Sequence, residues 1–212
     1  TLQNLITYPF ASYVVVPNCY QSWTPKKNVR YEGYHELSYL HPSYFSPNID
    51  IAISAGLDKT RKNLLIRLVS WKANHDIGEK GWSTDLLDDI ISTYESRFNI
   101  IISSERELDS RYTTHFYKGR ASEIHHLMAF CDLFVGESAT MASESVILGT
   151  PAIYAAKSRR GYTDEQESKY KLLMNVPNPE ANSVKSAIDA MLNLSKSEIE
   201  KRHQQLLSEK ID

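Results

Sequence analysis

Between Asn63 and Ala156 short runs rich in β-branched and aromatic residues exchange with stretches whose apolar positions recur at helical spacing. That alternation calls for an α/β fold, a Rossmann-like parallel sheet with crossover helices on both faces. Strands are expected over residues 64–69, 99–103, 132–135 and 151–154. Helices are expected over 84–94, where Leu86, Leu87, Ile90 and Ile91 share a face, over 121–130, with Ile124, Leu127 and Met128, and over 138–148. Gly149, with Pro151 just beyond it, ends the last of these.

The flanking segments read differently. Residues 12–16 form one apolar strand, followed to about Asp58 by a loop-like stretch rich in Tyr, Pro, Asn and Lys. Two amphipathic helices, 182–193 and 195–207, are expected to close on the sheet; the second opens with a capping box of Ser195 and Glu198 and a Leu194/Ile199 staple. Residues 1–58 therefore read as the end of a preceding domain and an interdomain segment, and 59–212 as the Rossmann-like domain with its terminal helices. The start, Thr1 to Phe10, has neither an initiator Met nor a signal-peptide pattern, so the chain is expected to begin inside a longer protein.

Composition narrows the function classes. Lys and Arg total 24 against 26 Asp and Glu, a formal net charge of −2, so no global field favours nucleic acid or an anionic membrane. Cys19 and Cys131 lie far apart without a C-x-x-C partner, which fits a reducing cytoplasm and excludes a zinc ribbon or dithiol motif. No apolar run reaches the roughly 18 residues a membrane span needs. His125 and His126 are adjacent on a helix and diverge, and no H-E-x-x-H occurs, so neither a metal nor a cofactor is expected.

The chemistry concentrates near residues 127–156, whose only charged side chains are Asp132, Glu137 and Glu144. Glu144 stands mid-helix among Ala142, Ser143, Ser145 and Val146, where a carboxylate must face a polar cleft or be buried at a cost of several kcal/mol unless paired. Thr140 lies one turn earlier on the same face, and Ser138 opens the helix directly after Gly136 and Glu137. A strand, a small-residue turn and a helix start aim free N–H groups at the carboxyl edge of the sheet, where anions bind. Phosphate at Ser138 and Thr140, beside Glu137 and Met141, with ribose hydroxyls on Glu144, would make a nucleotide site. The plainer alternative is that Ser138 only caps the helix and Glu144 is a surface or ion-paired residue.

Gly136-Glu137-Ser138-Ala139-Thr140 also has the outline of a G-x-S-x-G nucleophile elbow. Thr140 replaces the second glycine, and only His203 follows as a base, in a polar terminal helix, so the hydrolase reading is set aside.

A second constellation follows the strand expected at 64–69. Arg67, Lys72, His75 and Asp76 gather in and after that strand, where a loop at the carboxyl edge is a functional position. Arg67 and Lys72 suit a diphosphate, and His75 with Asp76 suits positioning or protonating a leaving oxygen. Alternatively, His75 and Asp76 cap the next helix. Ser103, Ser104 and Glu105 follow the next strand in the same manner, so Ser104 joins the candidate binding residues.

Three blocks, Tyr31-Glu32-Gly33-Tyr34-His35-Glu36-Leu37-Ser38-Tyr39-Leu40-His41-Pro42, then 67–78, then Gly136 to Glu144 with Leu148-Gly149-Thr150-Pro151, together resemble the family catalogued as domain of unknown function 354. The resemblance covers about residues 31–170. It implies one half, the carboxyl-terminal one, of a GT-B fold, in which two Rossmann-like halves face each other across a cleft, as in UDP-N-acetylglucosamine 2-epimerase and peptidoglycan N-acetylglucosaminyltransferase. In the epimerase pattern a Ser-Gly-Gly turn holds the diphosphate and a Glu five residues before the Leu-Gly-x-Pro glycine holds the ribose. Ser138 and Glu144 fall on those positions, with Ala139 and Thr140 in place of the glycines.

The resemblance thus implies the nucleotide-sugar-binding half of a glycosyltransferase-like protein, taking a nucleoside diphosphate sugar as donor. The acceptor and a catalytic base would come from an amino-terminal half of the same protein, and a homodimer is left open. A sugar-nucleotide 2-epimerase and a non-catalytic binding or scaffold module of the same fold are the alternatives.

Overall fold

A computed structural model describes residues 2–70 and 81–210. Helix α1 (Leu2–Thr7) precedes two parallel strands, β1 (Val14–Pro17) and β2 (Asn28–Tyr31), and the short helices α2 (Leu37–Leu40) and α3 (Ile49–Ser54). Then come β3 (Lys62–Leu68), α4 (Thr84–Tyr94), β4 (Phe98–Ser104), α5 (Ile124–Met128), β5 (Leu133–Gly136), α6 (Ala139–Ile147), β6 (Ala152–Tyr154), α7 (Gly161–Glu165) and β7 (Leu173–Asn175). Helices α8 (Ala181–Leu192) and α9 (Lys196–Glu209) close the described chain.

Strands β3 to β7 form one parallel sheet in the order β4-β3-β5-β6-β7. Side chains alternate along a strand, so both faces are apolar and both are covered. Leu64, Ile66 and Leu68 of β3 pack with Leu87 and Ile90 of α4 and Val184 and Ile188 of α8. Leu65 and Phe134 face the other way, with Leu127 and Met128 of α5, Ala142 and Val146 of α6, and Leu206 of α9. Each such Leu, fully buried, contributes about 2 kcal/mol.

Helix ends follow the local chemistry. The Ser83 hydroxyl accepts from Leu86 N–H to start α4, and Gly149, at φ 89°, supplies the left-handed residue after α6. The expected capping box of Ser195 and Glu198 opens α9. The helix expected over 121–130 is instead a 3₁₀ turn at Ala121–Glu123 running into the short α5.

Elements that sequence patterning missed are short or exposed. Strand β2 carries the exposed Arg30 and Val29 and has no apolar alternation, and β7 has only Leu173 to Asn175. In the stretch expected as an interdomain segment, Tyr34, Leu37, Leu40, Ala52 and Leu57 enter the core on the α5 and α6 side of the sheet. From β3 the chain crosses outward to β4 and then back past β3 to β5. The strand order reverses at β3, which opens a crevice between the carboxyl ends of β3 and β5.

Candidate functional site

At that crevice β3 leaves no room for a side chain on the last residue of β5. A Cβ at Gly136 would lie 2.3 Å from the Arg67 carbonyl oxygen, so only glycine fits there. The next residue, Glu137, is 3% exposed; its Oε2 accepts from Val69 N–H at 2.9 Å and its Oε1 from Trp82 N–H at 2.5 Å. Glu137 therefore holds both ends of the connection from β3 to α4. Trp82 is fixed further by its indole N–H, which donates to the Ala155 carbonyl at 3.0 Å.

Beside the crevice a cleft of about 820 Å³ opens between the carboxyl ends of β3 and β4 and the helices α5 and α6. Its volume lies within the range of small-molecule sites, about 300 to 1,000 Å³. Met141 and Glu144, one turn apart on α6, line one wall, and Ile124 and His125 line the next. The Glu144 carboxylate is 6% exposed and is held by its Oε1, which accepts from the Tyr39 hydroxyl at 2.8 Å and pairs with His125 Nε2 at 3.1 Å. A carboxylate oxygen only accepts, so the ring proton of His125 sits on Nε2.

The opposite wall is built on β3 and β4. Arg67 donates through Nη1 to the Ser103 hydroxyl at 2.7 Å and pairs through Nη2 with Glu105. The Ser104 hydroxyl accepts from Arg106 N–H and donates to the Arg106 carbonyl, forming the turn that carries Arg106 into the lining. Arg106 in turn donates to the Trp82 carbonyl at 2.7 Å, which joins this wall to the loop that Glu137 holds. Ile102, Leu108 and Phe116 supply the apolar part of the cleft.

Behind Glu144 lies a second carboxylate, Glu36, only 5% exposed. Burial pushes its carboxyl up to about 7, with the Glu144 charge adding to the rise, while its own backbone N–H and the Ser143 hydroxyl oppose it.

Arg67, Ser104, Met141 and Glu144, four of the residues expected to bind ligand, line one cleft. Ser138, Thr140 and Glu137 do not line it. The Ser138 hydroxyl accepts from Met141 N–H at 3.3 Å as the cap of α6, and Thr140 is exposed on that helix. Glu137, expected to contact ligand, uses both carboxylate oxygens on backbone amides, because a buried anion needs such donors. Lys72, His75 and Asp76 lie outside the described residues. Tyr39, Arg106 and His125 join the site through contacts that sequence spacing does not show. The available signal was that Glu144 sits in a stretch without basic residues, so its partners had to come from other segments. Among the described residues no group of three His, Cys, Asp or Glu could hold a metal ion, and no helix is long and apolar enough to cross a membrane.

The sequence matches the family described as protein of unknown function (DUF354) over residues 1–211. No curated protein matches it. Among solved structures, the glycotransferase of kitacinnamycin superposes with a TM-score of 0.58 at 10% identity, covering 99% of this chain and 54% of that one. The wall teichoic acid polymerase TagF gives 0.52 at 14% identity, over 94% of this chain and 54% of that one. The calicheamicin glycosyltransferase CalG4 gives 0.52 at 10% identity, over 93% and 49%. The five-stranded parallel sheet with its flanking helices is that of GT-B glycosyltransferases, and the chain spans about half the length of the structures it matches. At such low identity the likeness shows the fold alone.

Proposed function

The chain belongs to the family of proteins of unknown function DUF354, and on that footing we propose that it is the nucleotide-sugar-binding half of a GT-B glycosyltransferase-like protein that transfers a sugar from a nucleoside diphosphate donor. The observation that carries this reading is the position of Glu144. It is a nearly buried carboxylate in the wall of a cleft at the carboxyl edge of a parallel sheet, beside the point where strand order reverses. A carboxylate there accepts hydrogen bonds from ribose hydroxyls. Arg67 offers positive charge to the diphosphate across the cleft, and the apolar stretch at Ile102, Leu108 and Phe116 offers a wall for the base.

Lys72, His75 and Asp76 are the residues proposed to act on the sugar-phosphate linkage. Stabilising the departing diphosphate electrostatically lowers the barrier to transfer without a metal. The acceptor would be bound by an amino-terminal half of the same protein, in keeping with matched structures about twice as long. The unpaired Cys19 and Cys131 support a place in the reducing cytoplasm.

Thermal-shift titration against UDP, GDP, ADP and CMP tests the reading, because a ligand that binds only the folded state raises the melting temperature. A selective rise for one nucleotide is expected. No response to any of them would sink the proposal.

A further inference from the structure

Among the described residues, Glu144 is gripped from one side. Tyr39, from the segment that precedes the sheet, and His125, from α5, both reach the same oxygen, Oε1. Burial and the bond to Glu144 raise the Tyr39 phenol well above its ordinary value, so at neutral pH it keeps its proton and donates. A carboxylate has acceptor sites on both oxygens, and among the described residues no hydrogen bond reaches Oε2. The Tyr39 and His125 rings lie 6.0 Å apart, and Phe45 packs edge-on to His125 at 6.2 Å, which fixes the imidazole.

We propose that Tyr39 and His125 are positioning residues that saturate Oε1 of Glu144 and thereby leave Oε2 to read a vicinal diol, so that the cleft selects ribonucleotides over 2′-deoxyribonucleotides. The inference rests on the nucleotide reading above and deepens it. With Oε1 loaded by two donors the carboxylate cannot swing to follow a ligand. One oxygen, fixed in direction, then discriminates between a sugar that presents two adjacent hydroxyls and one that presents a single hydroxyl.

The test is calorimetric titration of the full chain with the pairs UDP and dUDP, GDP and dGDP, and ADP and dADP. The wild type, Tyr39→Phe, His125→Gln and His125→Leu are compared, and circular dichroism checks that each variant is folded. The wild type is expected to prefer the ribo form about tenfold, as loss of one hydrogen bond to a charged group implies. Tyr39→Phe and His125→Leu should reduce that preference to about twofold by weakening the ribo form while leaving the deoxy form nearly unchanged. His125→Gln, which keeps an N–H donor, should retain most of it. Equal weakening of both forms, or an unaltered preference in Tyr39→Phe, would overturn the positioning role while nucleotide binding itself stands. Absence of binding to every nucleotide in the wild type would overturn both readings.

Discussion

The backbone N–H of Trp82 donates to the carboxylate of Glu137 at 2.5 Å, joining the start of α4 to the turn after β5. The same side chain accepts from Val69, so one residue closes the connection at both ends. Glu137→Gln keeps one acceptor oxygen and leaves one buried amide without its partner, at a cost of about 1 to 3 kcal/mol. Urea denaturation measures this; a variant as stable as the wild type would show that the clasp contributes nothing.

Gly136→Ala is expected to be as damaging although it adds only a methyl group. The added carbon would meet the Arg67 carbonyl oxygen at 2.3 Å and the Arg67 nitrogen at 2.8 Å, both of them backbone atoms that cannot rotate away. The β3–β5 seam must part at its carboxyl end, with an expected loss of about 2 kcal/mol or more, within the range seen for overpacking. Thermal melting and amide hydrogen exchange along β3 and β5 would report it.

Glu36 gives a pH signature. Its folded carboxyl titrates near 7, above its ordinary value of 4.5, chiefly because it is buried. Between about pH 4.5 and 7 the folded state therefore holds a proton that the unfolded state has released, and this group's contribution to stability falls as pH rises through that window. Glu36→Gln removes the dependence. The difference in unfolding free energy between variant and wild type should grow from pH 4.5 to 7 and then level off, by an amount on the order of 3 kcal/mol. A difference flat with pH would contradict the assignment.

Glu144→Ala should weaken binding of the preferred nucleotide by about 1 to 3 kcal/mol, the range for loss of a charged hydrogen-bonding partner. Isothermal titration of folded variant and wild type decides it. An unchanged affinity would remove Glu144 from the site.

The sheet was legible because β3, β4 and β5 are apolar on both faces and the helices between them carry one apolar stripe each. The end of α6 at Gly149 was legible for a stereochemical reason, its positive φ. Short strands such as β2 and β7 carry too few residues for period-two alternation to stand out. In the candidate site, Glu144 was conspicuous as a charge in an apolar helix, whereas Tyr39 lies 105 residues away in sequence and only tertiary contact makes it a partner. Glu137 shows the reverse limit: sequence reveals a carboxylate at the right turn but not that backbone amides take up both of its oxygens.

The strand order β4-β3-β5-β6-β7 also bears on how the sheet is built as the chain leaves the ribosome. The first strand of this sheet to emerge, β3, becomes an inner one; β4 docks on one edge of it and β5 on the other, and β6 and β7 then add in turn to the growing side. No strand has to insert between two already paired. Synthesis from the amino terminus can therefore extend the sheet outward without breaking ladder hydrogen bonds it has already made.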